Sequence, residues 1–184
     1  GTGGVTAVPL LAKGRGEADG SNVDMNYFLG INGSNRLVAD FEDMASGLNH
    51  PVTGTTAITN DVWHHAAVTF DGSTLVLYLD GVADGSVSTT ATPRFDSIQH
   101  AALASALTST GAAAGFFTGI LDEARIWSVG RTQSQIQNDR AVEVLAGTGL
   151  VARWGLNEGA GTSAGNSVAT GLNGTLTAGP TWST

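Results

Sequence analysis

Short apolar stretches separated by turn residues recur along the whole chain, and their spacing predicts strands at 8–13, 26–31, 35–42, 63–70, 74–80, 97–103, 116–127, 150–156 and 172–177. Leu75, Leu77 and Leu79 alternate with Val76, Tyr78 and Asp80, so both faces of that strand are largely apolar and one is expected inside a sandwich. Asp71-Gly72-Ser73 suits a short hairpin loop, Asp80-Gly81 turns the chain again, and Asn32-Gly33 suits another tight hairpin. Only 132–145 has helical spacing, with Thr132 as N-cap and Ile136, Arg140 and Val144 on one face. The Ala- and Ser-rich stretch 104–114 reads as a long loop. A series of this kind implies antiparallel sheets and an all-β class.

Composition narrows the function classes. The chain has 184 residues, a length that suits one large β domain, and 26 glycines with only 13% charged residues indicate many tight turns and a surface made polar by hydroxyls. Net charge is −8, with one lysine, Lys13, and the arginines spread along the chain, so no basic patch exists to collect phosphates and nucleic acid is not expected as a partner. There is no cysteine, hence no disulfide framework and no thiolate metal site. No apolar run reaches the roughly 20 residues of a membrane span, and no signal core is present, so membrane insertion is not expected.

Three segments carry a resemblance. WHHAAVTFDGSTLVLYLDG at 63–81 and FFTGILDEARIWSVGRTQSQI at 116–136 resemble the laminin-G-like jelly roll of the concanavalin A-like lectin and glucanase superfamily, as found in bacterial secreted proteins. GLVARWGLNEGAGTSAGNSVATGLNGTLTAGPTW at 149–182 is similar to the segment that normally opens such a module. The resemblance implies an all-β jelly-roll sandwich of two antiparallel sheets with one short helix, forming a single domain over 1–184 in which 149–184 is a tail resembling the opening strands. It also implies an extracellular location, secreted or on a cell surface. The order departs from the family's, because this chain begins almost at the Lys13-Gly14 turn. Either the first strands are missing, or the tail folds back to supply an equivalent strand, or the tail opens a following tandem module whose unpaired edges favour self-association.

Calcium is the cofactor that the residues suit. Hard cations take several oxygen ligands from Asp, Asn and backbone carbonyls, and two loop groups supply them. One is Asp19, Asn22, Asp24 and Asn26 with Asp40 and Asp43. The other is Asp122 with Asn157, Asn166 and Asn173, where the resemblance implies that the tail lies beside the Leu121-Asp122-Glu123 strand and that relatives often carry Asp in place of Asn166. Against both stands the reading as solvated turns, since Asp and Asn favour turns without any metal. His50, His100 and Tyr27 are the candidate ligand-binding residues. His64 and His65 are adjacent on a strand and point to opposite faces, so they cannot hold one ion together.

Catalytic patterns are weak. Gly161-Thr162-Ser163-Ala164-Gly165 has the spacing of a nucleophile elbow, but no helix is predicted after Ser163. The superfamily's glucanases carry Glu-x-Asp-x-x-Glu on one strand, and Glu17-Ala18-Asp19-Gly20-Ser21-Asn22 ends on Asn in a Gly-rich loop. Glu123 and Arg125 read as a surface ion pair of little energetic weight. Trp63, Trp127, Trp154 and Trp182 are expected in the core, and the Asn-Gly-Ser and Asn-Gly-Thr triplets at 32–34 and 173–175 as turns. The expected function is non-catalytic recognition of carbohydrate or of a cell-surface protein, with calcium at loops on the sandwich rim. The alternatives are a structural spacer or adhesin repeat without its own ligand, and a glucanase-like glycoside hydrolase.

Overall fold

The computed structural model describes residues 6–169 and 171–183. Two compact units divide the chain, Gly1–Thr118 and Gly119–Thr184. In the first, strands β1 (Ala7–Lys13), β2 (Tyr27–Asn32), β3 (Arg36–Phe41) and β4 (Val52–Ala57) are followed by β5 (Ala66–Phe70), β6 (Thr74–Leu79) and β7 (Val82–Ser88). Then come β8 (Ala101–Leu103) and the two-residue strands β9 (Ala106–Leu107) and β10 (Ala113–Ala114). They form a five-stranded sheet in the order β4-β3-β2-β1-β8, a three-stranded sheet β5-β6-β7 and a ribbon β9-β10, with every pair antiparallel. The fold is the mostly-β sandwich with one helix that the sequence predicts.

Alternation along β3 assigns the faces. Leu37, Ala39 and Phe41 are buried against Leu75, Leu77 and Leu79 of β6, which makes the inter-sheet core. Each fully buried Leu contributes about 1.5–3 kcal/mol relative to exposure. Val38 points the other way and packs with Ala12, Met25, Phe28 and Ala106, so the β9-β10 ribbon covers part of the outer face of the larger sheet. Asp40 and Glu42 continue Val38's side of the alternation.

Two of the longer strands escaped the sequence pattern. β4 reads Val-Thr-Gly-Thr-Thr-Ala and β7 reads Val-Ala-Asp-Gly-Ser-Val-Ser, with too few large apolar residues to signal a strand. Their edges meet closely instead: a Cβ on Gly54 would lie 2.0 Å from Asp84 Oδ2, and one on Gly85 would lie 2.7 Å from the Thr53 carbonyl oxygen. Asp84 Oδ1 accepts from the Thr55 hydroxyl at 3.1 Å and the Thr56 N–H at 2.9 Å, which ties the two sheets along that side.

The turns follow local chemistry. Asp71 Oδ1 accepts the N–H of Ser73 and of Thr74, each at 2.8 Å, around Gly72 at φ 95°. At the β2–β3 turn Asn32 Oδ1 accepts from Ser34 and Arg36, and the left-handed residue is Asn35, not Gly33. Within the expected loop 104–114 lies the β9-β10 ribbon. The predicted strand at 97–103 shortens to β8.

In the second unit, β11 (Ala124–Trp127) precedes helix α1 (Gln133–Asp139), and β12 (Leu150–Trp154), β13 (Ser163–Ala164) and β14 (Gly174–Thr175) follow. β11 pairs with β12 and β13 with β14, all antiparallel. The tail from Gly149 thus supplies the strand beside β11. Thr132 caps α1 in a reciprocal capping box with Gln135, as its position predicts. The helix stops at Asp139 and not at Leu145 because Val142 and Leu145 are exposed and nothing apolar anchors another turn.

Two expectations are corrected here. Trp63 is not core: it is 65% exposed, while Trp127, Trp154 and Trp182 are half-buried. Glu123 and Arg125 are not a simple surface pair either. Glu123 Oε2 accepts from Arg125 Nη2 at 2.8 Å and from the buried Arg153 Nε at 2.9 Å, and Arg153 Nη2 also reaches Glu123 Oε1. Glu123 itself, at φ 53°, precedes the strand. Among the described residues, no helix is long and apolar enough to cross a membrane.

Candidate functional site

The outer face of the five-stranded sheet holds a cavity of about 300 Å³ lined by Arg15, Met25, Phe28, Asp40, Glu42 and Asn49, with Ala106 and Ala114 from the ribbon at one side. β3 delivers its acids, since Asp40 and Glu42 are two apart and share a face. Both are nearly inaccessible, at 2% and 1% exposure. Asn49 forms an isolated bridge with Glu42, and its Nδ2 donates to Asp40 Oδ2 at 2.9 Å and to Glu42 Oε1 at 3.3 Å. The His50 N–H donates to Asp40 Oδ1 at 2.8 Å. Burial pushes the Asp40 carboxyl up to about 6, against the opposing pull of the His50 N–H and the Asn49 amide.

Beside this cavity the loop between β1 and β2 brings further acids. Asp19, Asp24 and Glu42 each offer an oxygen, and the three oxygens lie within 4.8 Å of one another. Asp24 is wholly buried; its Oδ1 accepts from the Met25 N–H at 3.0 Å and its Oδ2 from the Gly20 N–H at 2.7 Å. Arg94, also buried, sits with Nε 4.0 Å from Asp24 Oδ2, and its N–H donates to the Glu42 carbonyl at 2.7 Å. Gln99 holds the start of this loop. Its Oε1 accepts from the Arg15 and Gly16 N–H groups at 2.7 and 3.0 Å, and its Nε2 donates to Glu17 Oε2 at 2.8 Å. Gly14 is required there, because a Cβ would lie 2.3 Å from Gln99 Oε1 and φ is 100°.

Of the first loop group, Asp19 and Asp24 come together, and Asn26, one residue before β2, donates its N–H to the Lys13 carbonyl at 2.8 Å. Asn22 is exposed and presents its carbonyl to the Ile98 N–H. Asp40 faces the cavity. Asp43 staples the next turn: its oxygens accept from the Ser46 hydroxyl and from the Ser46 and Ala45 N–H groups, which hold its carboxyl well below the ordinary carboxylate range.

Asn166 and Asn173 of the second group also meet, as Asn173 Oδ1 accepts the Asn166 N–H at 2.9 Å, but Asn166 Oδ1 is taken by the N–H groups of Arg153 and Val168. Asp122 Oδ1 accepts the Glu123 N–H, and Asn157 donates to Glu143.

His50 stacks on Phe41 and places Nε2 3.1 Å from Asp43 Oδ2, whereas His100 neighbours Gly111 and hydrogen-bonds through its backbone to Thr108 and Gly14. The partners of the two histidines do not overlap. Tyr27 stands opposite Phe41, on the inner face of the sheet, away from the cavity. His64 is engaged by Asp80 Oδ2 at 2.7 Å, and Ser163 lies in the β13-β14 ribbon with no helix after it among the described residues. Sequence reasoning missed Glu42, Asn49, Arg94 and Gln99. The signal for Glu42 was available: acids two apart, at 40 and 42, end an otherwise apolar Leu-Val-Ala-Asp-Phe-Glu run.

Residues 5–137 match the family described as the concanavalin A-like lectin/glucanases superfamily. No curated protein matches the chain. Among solved structures, a candidate carbohydrate binding protein from Bacteroides ovatus is similar over 95% of this chain and 50% of its own, with a TM-score of 0.67 and 19% identity. This chain therefore spans about half the length of that protein, and the likeness is one of fold. An S-layer domain-containing protein from Clostridium thermocellum is similar over 74% of this chain and 64% of its own, with 21% identity and a TM-score of 0.33.

Proposed function

This chain belongs to the concanavalin A-like lectin/glucanase superfamily, and on that premise we propose that it is a non-catalytic carbohydrate-recognition module of a secreted or cell-surface protein. The observation that carries the reading is the cavity beside Asp40, Glu42 and Asn49. Sugar hydroxyls both donate to and accept from amides; Asp40 and Glu42 are too buried to be reached directly, so the half-buried Asn49 that bridges them is the contact offered to a polyhydroxylated ligand. At about 300 Å³ the cavity is at the small end of ligand sites, which fits one sugar unit at the end of a chain.

Charge selects within that class. Asp40 and Glu42 face the cavity with only Arg15 as a cation in its lining, so acidic sugars are disfavoured and neutral ones favoured. Aromatic stacking contributes little, because Phe28 is buried and the exposed Trp63 is not among the lining residues. Asp40 has both oxygens held by backbone and amide donors, which suits an acceptor fixed in place more than a nucleophile.

The test is a glycan array followed by titration calorimetry of each hit. A neutral glycan that binds wild type and loses at least tenfold in affinity to Asn49→Ala supports the reading. Failure of every glycan to bind would leave a protein-recognition module or a structural spacer with tandem or self-associating contacts. Release of a reducing sugar from a bound oligosaccharide would replace recognition by hydrolysis.

A further inference from the structure

We propose that Asn32 is a site of self-modification: in the β2–β3 turn the Gly33 nitrogen attacks its side-chain amide, and hydrolysis of the resulting ring leaves aspartate or isoaspartate at position 32. Two Asn-Gly pairs occur in the chain, Asn32-Gly33 and Asn173-Gly174. The reaction needs an amide nitrogen free to attack and a side-chain carbonyl polarised to receive it. Gly33 meets the first condition. It is exposed, a Cβ on it would meet nothing within 4 Å, and among the described residues no acceptor takes its N–H.

Asn32 meets the second. Its Oδ1 accepts the N–H of Ser34 at 2.9 Å and that of Arg36 at 3.1 Å, so the side chain folds back over its own turn. Negative charge gathers on this oxygen as the nitrogen adds to Cγ, and two backbone donors already aimed at it act as an oxyanion hole does. The atoms balance with water as the only co-reactant. The Gly33 nitrogen gives its proton to a solvent base and bonds to Cγ, while the side-chain nitrogen takes up a proton and leaves as ammonia. Water then opens the succinimide ring, at Cγ to give aspartate or at the main-chain carbonyl to give isoaspartate.

The second pair lacks both features. Gly174 lies in β14 opposite Ala164, and the bond from the Leu176 N–H to the Thr162 carbonyl at 2.8 Å fixes the phase of that ladder, so Gly174 and Ala164 are a hydrogen-bonded pair and the Gly174 N–H is engaged. Asn173 Oδ1 accepts the Asn166 N–H, a single donor among the described residues. The turn at Asp71-Gly72 repeats the geometry of Asn32, with Oδ1 accepting from Ser73 and Thr74, but it presents a carboxylate. The Ser73 hydroxyl and the Ser73 and Thr74 N–H groups hold that carboxyl below its ordinary value, and an ionised carboxylate resists a nucleophile. Either product at 32 adds one negative charge to a net charge of −8. Aspartate keeps an acceptor for Ser34 and Arg36, whereas isoaspartate lengthens the main chain by one carbon next to Ile31, which pairs with Leu37.

The test is to age the full chain in mildly alkaline buffer made with heavy-oxygen water, both folded and in denaturant, and to locate each new carboxyl by peptide mass spectrometry. Folded protein should convert Asn32 at least about tenfold faster than Asn173, with isoaspartate detected by enzymatic methyl transfer. In denaturant the two rates should converge. Gly33→Ala adds a methyl group that meets nothing within 4 Å, at a residue outside the left-handed region, so it should fold as wild type and slow Asn32 by a similar factor through crowding of the attacking nitrogen. Asn32→Asp should match the charge of the aged product and melt no lower than wild type, whereas aged protein carrying isoaspartate should melt below both. Equal rates at Asn32 and Asn173 in the folded protein, a faster Asn173, or an unchanged Asn32 while the denatured chain converts both, would overturn the assignment in favour of a turn that shields its amide. Neither Asn32 nor Gly33 lines the cavity, so failure to bind any glycan would remove the carbohydrate reading alone.

Discussion

Asn49 holds two buried carboxylates at once, donating from one nitrogen to Asp40 Oδ2 at 2.9 Å and to Glu42 Oε1 at 3.3 Å. A single amide thereby sets the spacing of the acids that line the cavity. Asn49→Ala removes the side-chain donor from both, and each buried acceptor left short costs about 1–3 kcal/mol. Chemical denaturation should show a loss of stability in that range. A midpoint equal to wild type would mean that solvent already supports both acids.

Gln99 reaches across more than eighty positions to the loop that carries Asp19 and Asp24. Gln99→Ala leaves the Arg15 and Gly16 N–H groups without their acceptor and opens a void at a site 1% exposed. The expected cost is about 3 kcal/mol. Hydrogen exchange at residues 15–24 should accelerate well beyond the global change, and if it does not, the loop is held by other contacts.

Gly54 is a fit between sheets. Gly54→Ala drives a methyl group to within 2.0 Å of Asp84 Oδ2, and the displaced carboxylate loses its bonds to Thr55 and Thr56. About 2 kcal/mol of destabilisation is expected from overpacking of this kind. Gly72→Ala offers the contrast: the added carbon meets nothing within 4 Å, and only the strain of φ 95° remains, so the loss should be smaller.

Acid should weaken the second unit through Glu123. Burial alone would push this carboxyl up, but hydrogen bonds and charge from Arg153 and Arg125 outweigh it and hold it below its ordinary value. A depressed carboxyl stabilises the folded state above the unfolded-state value of about 4.5 and loses that contribution as pH falls through the lower folded value. Near neutral pH, Glu123→Gln should cost about 3 kcal/mol, because it strips a charge partner from the buried Arg153. Fluorescence melts of the Trp127 and Trp154 region should fall more steeply with acid in wild type than in Glu123→Gln. Parallel acid profiles would contradict the assignment.

Much of the architecture was legible because local chemistry enforces it. The Leu75-Leu77-Leu79 alternation marked a buried strand, Asp71 and Gly72 a turn, and Thr132 ahead of Ile136 the start of a helix. β4 and β7 were not legible, since their place comes from pairing with β3 and β6 and from the contact between Gly54 and Asp84. Trp63 was misread because an aromatic strand start looks the same whether its neighbour covers it or not.

The sequence by itself determined that this is an acidic all-β protein with oxygen-rich loops, since composition and alternation need no partner to be read. It also marked Asp19, Asp24 and Asn26 as oxygen donors. Only tertiary structure decided which acids meet. Alternation fixes the face on which a side chain stands, but register fixes its neighbours, and register put Glu42 and Asn49 in one row while Asp43 turned to its own loop. The energy of that row depends on donors that are distant in sequence, and no local pattern records them.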